Sequence, residues 1–134
     1  MLSIVQAMRT KLLDDSLLFS GIENRLYSDL APTTQAQIFP FGVVAFSAGG
    51  TVRKARTRMA IMDYSVKVIS TQFDEASALG ERIYEALHEA DLVASGTWAI
   101  WRCQCDTKIH YVTVDADQKR YWHDGWTVVV RLNQ

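Results

Sequence analysis

Only two cysteines and two prolines occur among 134 residues, and positive and negative side chains nearly cancel. Each scarcity removes a class of protein. Two cysteines without an export signal do not make a disulfide framework and are expected as free thiols in a reducing cell. Fourteen Lys and Arg against fifteen Asp and Glu leave a net charge of -1, whereas a dedicated nucleic-acid-binding domain is usually basic overall. Long apolar runs are missing too. In "MLSIVQAMRTKLLDDSLLF" Arg9, Lys11, Asp14 and Asp15 break the hydrophobic stretch, against both a signal peptide and a membrane span and for a protein made in a cytoplasm. Internal repeats, low-complexity segments and linkers are also absent. What is there, 49% hydrophobic and 22% charged residues, is the balance of a globular protein, and the length fits one domain covering residues 1–134.

Periodicity divides that domain into elements. Leu2, Val5, Met8, Leu12 and Leu13 recur at spacings of three and four, which predicts an amphipathic helix over 2–14. "DDSLLFSG" reads as a short second turn closed by Gly21, and "IENRLYSDLAP" as an extended segment stopped by Pro32. The continuous apolar run "FGVVAFSA" predicts a central strand covered on both faces. In "MAIMDYSVKVIS" Met62, Tyr64, Val66 and Val68 alternate with Asp63, Ser65 and Lys67, a strand with one wet face. The glycine pair between these two strands suits a hairpin. "FDEASALGERIYEALHEADL" predicts a helix burying Ala76, Leu79, Ile83, Ala86, Leu87 and Ala90, with Asp74 and Glu75 where the macrodipole favours acids. Three β-type runs follow, "TWAIWRCQC", "KIHYVTVD" and "RYWHDGWTVVVRL", the last two separated by the turn "DADQ". Trp126, Val128, Val130 and Leu132 share one face of the last run. The fold class expected from this order is α+β, a mostly antiparallel sheet with two main helices packed on it.

Catalytic patterns are lacking. There is no Gly-x-Ser-x-Gly and no Gly-Lys-Ser/Thr after the glycines of "AFSAGG", and no glycine-rich elbow or helix N-terminus follows either cysteine. Cys103, Cys105 and His110, with His88 and His123, hold the right atoms for zinc, but the spacing lacks a second cysteine pair or a His-x3-5-His. Cys103 and Cys105 fall on one strand face, at the same parity as Trp101, where they pack as small hydrophobes. No cofactor, no metal and no enzymatic activity are expected. A small non-viral adaptor, or a metal-binding domain using Cys103, Cys105 and His110, stays open as an alternative.

Two other features stand out. "TVRKARTR" puts Arg53, Lys54, Arg56 and Arg58 within six residues, at or near the hairpin tip. Such a run is a solvated tip, or a contact with phosphates that reads no bases. All four tryptophans lie in the C-terminal strands, where most serve packing. Trp98 and Trp122 are the candidates for a subunit or partner interface, in which exposed Trp is enriched.

The chain as a whole resembles the tail-completion and tail-terminator proteins of long-tailed bacteriophages. The likeness rests on the leading helix running into "GIENRLYSDLAP", on "FPFGVVAF" before a basic hairpin, on "FDEASALGERIYEALHEA" and on the closing "HDGWTVVVRLNQ". It covers nearly the full length and includes no invariant catalytic motif. What it implies is a structural virion protein at the tail or neck, assembled in the host cytoplasm as a homo-oligomeric ring, typically a hexamer. Such a ring ends tail-tube polymerisation and offers the joint to a head connector or stopper protein. Its implied partners are further copies of itself, the tail tube protein, the connector and, non-specifically, genomic DNA passing through the lumen. Arg53, Lys54, Arg56 and Arg58 would then line the DNA channel. No membrane is involved.

Overall fold

The computed structural model describes residues 2–29, 37–54, 57–93 and 99–133. The elements run α1 (Leu2–Asp14), α2 (Ser16–Ile22), β1 (Leu26–Ser28), β2 (Phe41–Lys54), β3 (Thr57–Ser70), α3 (Phe73–Leu87), β4 (Ala99–Val114) and β5 (Arg120–Asn133). Five strands form one sheet in the order β1-β2-β3-β5-β4. β1 runs parallel to β2, and every other neighbour is antiparallel. The fold class is α+β, as the element order predicts. α1 and α3 are the two main helices, and the short turn after α1 is a helix of its own, α2. None of the described helices is long and apolar enough to cross a membrane.

α2 begins where it does because Asp15 caps it, its carboxylate accepting the Leu18 N–H at 2.9 Å. The same carboxylate takes Arg82 of α3 at 2.7 Å. Burial acts to raise the Asp15 pKa, but these bonds outweigh it and hold the group below its ordinary value. One side chain thus fixes the start of α2 and ties it to α3.

The helices cover one face of the sheet. Val5 and Met8 of α1 and Leu79, Ile83 and Leu87 of α3 pack with Val66 and Val68 of β3 and Val128 and Val130 of β5 in a single dry cluster. This is the core the two periodicities predict; the side chain of Leu2, expected with them, lies outside the described residues. Cys103 and Cys105 are buried in the same cluster as free thiols. Burial, with Glu89 near Cys103 and Cys103 near Cys105, pushes both pKa values up to about 12, so they pack as neutral hydrophobes. On the other face Phe41, Val43 and Ile69 form a small buried group, flanked by Tyr27, Phe39, Ala45 and Tyr121.

Three expectations change. "TWAIWRCQC" and "KIHYVTVD" are one strand, β4, bent by irregularities between Ile100 and Arg102 and between Cys105 and Lys108. An extra residue at a bulge flips the side chains beyond it. For that reason Trp101 does not share the core face with Cys103 and Cys105: it is 50% exposed while they are buried. Thirdly, "FGVVAFSA" is buried on both faces only as far as Val44, and Phe46 is exposed. β1, which flanks β2, ends at Ser28 opposite Val44.

Candidate assembly surfaces

The β2–β3 hairpin carries the basic run. Arg53 pairs with Arg58 and Lys54 with Thr57, so the charges sit at the end of β3 away from α3. Arg56 lies outside the described residues, as does Trp98; of Arg53, Lys54 and Arg58 the backbone alone is described.

Trp122 belongs to a half-open aromatic cluster at the opposite end of the sheet. It stands across from Ser70 of β3 and Val112 of β4. Its ring meets Phe73, the first residue of α3, edge-on at 5.1 Å, and lies at 6.1 Å and 26° to His110. Phe73, Val112 and Val114 are all exposed, so an apolar patch surrounds Trp122 on the helix-bearing face. Contiguous patches of this kind mark interaction surfaces. The sequence singles out Trp122 but gives no signal for Phe73, which reads there as the opening of a helix.

Beneath the patch lies a buried carboxylate. Asp124 is 1% exposed and receives Lys108 Nζ at 2.6 Å and His110 Nδ1 at 2.8 Å. Gly80 of α3 makes room for it: a Cβ there would overlap Asp124 Oδ1. His110 is therefore committed to Asp124, while Cys103 and Cys105 lie in the dry core. The Cys103, Cys105 and His110 grouping of the metal-binding alternative does not come together. Among the described residues, no three His, Cys, Asp or Glu side chains are grouped to hold a metal.

The face without helices holds a shallow basin of about 460 Å³ whose lining includes Phe39, Phe41, Val43, Lys67, Tyr121 and His123. Phe39 stacks on Tyr121 at 5.2 Å. Lys67 Nζ donates to the Tyr111 hydroxyl at 2.6 Å, and Tyr111 stacks on His123 at 4.3 Å. Burial and the nearby Lys67 pull the His123 pKa down to about 4, which leaves the ring neutral at pH 7 and bonded through Nε2 to Thr113 Oγ1 at 3.0 Å. The turn below is held by Asp115, which accepts the Asp117 and Lys119 N–H groups and the Tyr121 hydroxyl. Among the described residues of the basin, no activated nucleophile is paired with a base.

The sheet margins complete the picture. Glu89 N–H donates to the Cys103 carbonyl at 2.8 Å and Cys105 N–H to His88 Nδ1 at 3.2 Å, so the segment after α3 covers β4 around Cys103 and Cys105. From Lys108 to Val114 no described residue pairs with the outer margin of β4. On the far side, β1 covers β2 at Gly42–Val44 only. Beyond the irregularity at Phe46 and Ala48, the arm of β2 is likewise unpaired on its outer side among the described residues. Sequence reasoning misses both margins, because strand order is not written in periodicity.

No protein-family model matches the chain, and no curated protein matches it in sequence. Among solved structures, a chain in the virion of a native gene transfer agent (GTA) particle matches with a TM-score of 0.74 at 18% identity, over 98% of this chain and 96% of that one. Nearly end to end, helices and sheet alike, this protein has the fold of a chain of a gene transfer agent virion.

Proposed function

We propose that this chain is a phage-type structural virion protein that forms a ring at the head-proximal end of a tail tube. The ring ends tube polymerisation, joins the tube to the head connector and lets DNA pass through its lumen. The observation that carries the reading is the end-to-end likeness of fold to a chain of a virion particle. The tail-terminator pattern of the sequence narrows it to the head-proximal end. Particles are assembled in the host cytoplasm from this chain, the tube protein and the connector.

In this reading Arg53, Lys54, Arg56 and Arg58 recur around the ring as a positive annulus that attracts phosphate without reading sequence. Each contact is screened within about 8 Å at physiological salt, so DNA can slide. Cells that make the particle without this chain should yield tails of uncontrolled length and heads with no tail attached, visible in negative-stain micrographs. Normal particles would refute the reading. Replacing the four basic residues by Gln should leave tail length and head joining intact while disturbing DNA retention or ejection. Tails that lose length control or fail to join heads would instead set the four charges against the tube protein or the connector.

A further inference from the structure

We infer that neighbouring copies of this chain join edge to edge, the outer margin of β4 at Lys108–Val114 in one copy pairing antiparallel with the β2 arm beyond Phe46 in the next. The inference rests on the ring reading and adds to it the contact that seals the ring.

The hydrogen bonds settle which backbone groups point outward. Cys103 and Cys105 bond away from β5, to residues 88 and 89. In an antiparallel pair this orientation alternates along the strand. The irregularity between Cys105 and Lys108 shifts the alternation by one, so beyond it Lys108, His110, Val112 and Val114 face outward. On β2, the Gly42 N–H and the Val44 carbonyl face outward to β1 and its flanks. The irregularity after Phe46 shifts the phase there too, leaving Gly49, Thr51 and Arg53 outward. Each margin therefore offers about seven residues, roughly 24 Å, of ladder that no described residue pairs with.

Their placement fits them to each other rather than to themselves. β2 and β4 run in opposite directions in the sheet, so a second copy set beside the first brings the two margins together antiparallel. Outward-facing Val112 and Gly49 also lie on the same, helix-bearing face, being in line with Trp122 and Met62. Hydrogen-bond phase and side-chain face therefore agree in one set of registers. In that direction the Val114 end of β4 approaches Phe46, which is exposed and on the helix-bearing face with Tyr64. Phe46 of one copy thus extends the apolar patch of Phe73, Val112 and Trp122 in its neighbour. The two margins lie at diagonally opposite corners of the sheet, so successive copies are staggered and the strands tilt, as closing a sheet upon itself requires. Closure also removes two open margins that would otherwise invite uncontrolled pairing.

Proline tests this directly, because an outward N–H on a margin strand can be removed without losing a bond to any described residue. Val112→Pro blocks one margin and Thr51→Pro the other. In sedimentation, the wild-type chain should form closed oligomers larger than a dimer. Each variant alone should be monomeric with unchanged circular dichroism. An equimolar mixture of the two should form dimers and nothing larger, since each pair retains one intact contact. Dimers of Thr51→Pro alone would mean that two β4 margins pair with each other, and would overturn the inference. Variants that both assemble like the wild type would overturn it and leave the ring reading standing. A wild-type chain that stays monomeric would overturn both. If either variant fails to fold, amide exchange on the wild type decides: His110, Val112 and Thr51 should exchange on the order of a hundredfold more slowly in the oligomer than in diluted monomer. Equal rates would refute the pairing.

Discussion

The two faces of the sheet are built on different terms. On the helix-bearing face, apolar side chains from three helices and five strands pack into one buried cluster, and even the two thiols are held neutral. On the other face three buried apolar residues support a dish of aromatic and polar groups that no described helix covers. The difference separates what holds the chain together from what it leaves available. Stability should respond steeply to changes on the first face and weakly on the second.

Leu87 is fully buried at the end of α3. Leu87→Ala should cost about 2–5 kcal/mol, read from urea or thermal unfolding. A loss below about half a kcal/mol is surface behaviour and would remove the distinction between the faces.

An acid titration sharpens the comparison, because the pKa of His123 on the open face is displaced far. Unfolded, its imidazole takes a proton near pH 6.5; folded, burial delays this to about 4. Between those values the unfolded chain binds more protons, so the contribution of His123 is full above pH 6.5, declines as pH falls and levels off below about 4. In His123→Phe that part of the slope should vanish, whatever the variant's overall stability. An identical slope in both proteins would mean that His123 is solvated in the folded chain.

The smallest effect belongs to the basin wall. Phe39 is half-buried and meets the rings of Tyr121 and Phe41, so Phe39→Ala should cost about 1–2 kcal/mol, less than Leu87→Ala. A cost equal to that of Leu87→Ala would show that something covers this face.

What the sequence disclosed follows the same division. α1, α3, β3 and the end of β5 each show one wet and one dry side over several turns or pairs, so Met8, Ile83, Val66 and Val130 could be placed in one core from spacing alone. β4 could not be read this way. Two bulges interrupt its alternation, splitting one strand into two apparent runs and turning Trp101 outward although its parity matches Cys103. β1 has three residues, too few for any period. The candidate surfaces were legible only in part. The charges of Arg53, Lys54 and Arg58 stand out in composition, and the backbone puts them at a hairpin end. The patch around Trp122, by contrast, depends on Phe73 and Val112 arriving from other elements, and nothing local announces that meeting.

Gly80 has one more consequence. A helix on a greasy sheet can slide or roll at modest cost, since one aliphatic contact replaces another. α3 is denied that freedom. The Asp124 carboxylate occupies the hollow that the missing side chain leaves, with Lys108 and His110 closing over it. Advancing α3 by one residue turns it about 100° and drives Leu79 or Glu81 into the carboxylate. The glycine works as an index notch: it admits one angular setting of α3, and through Phe73 at the head of that helix it sets where the aromatic patch faces.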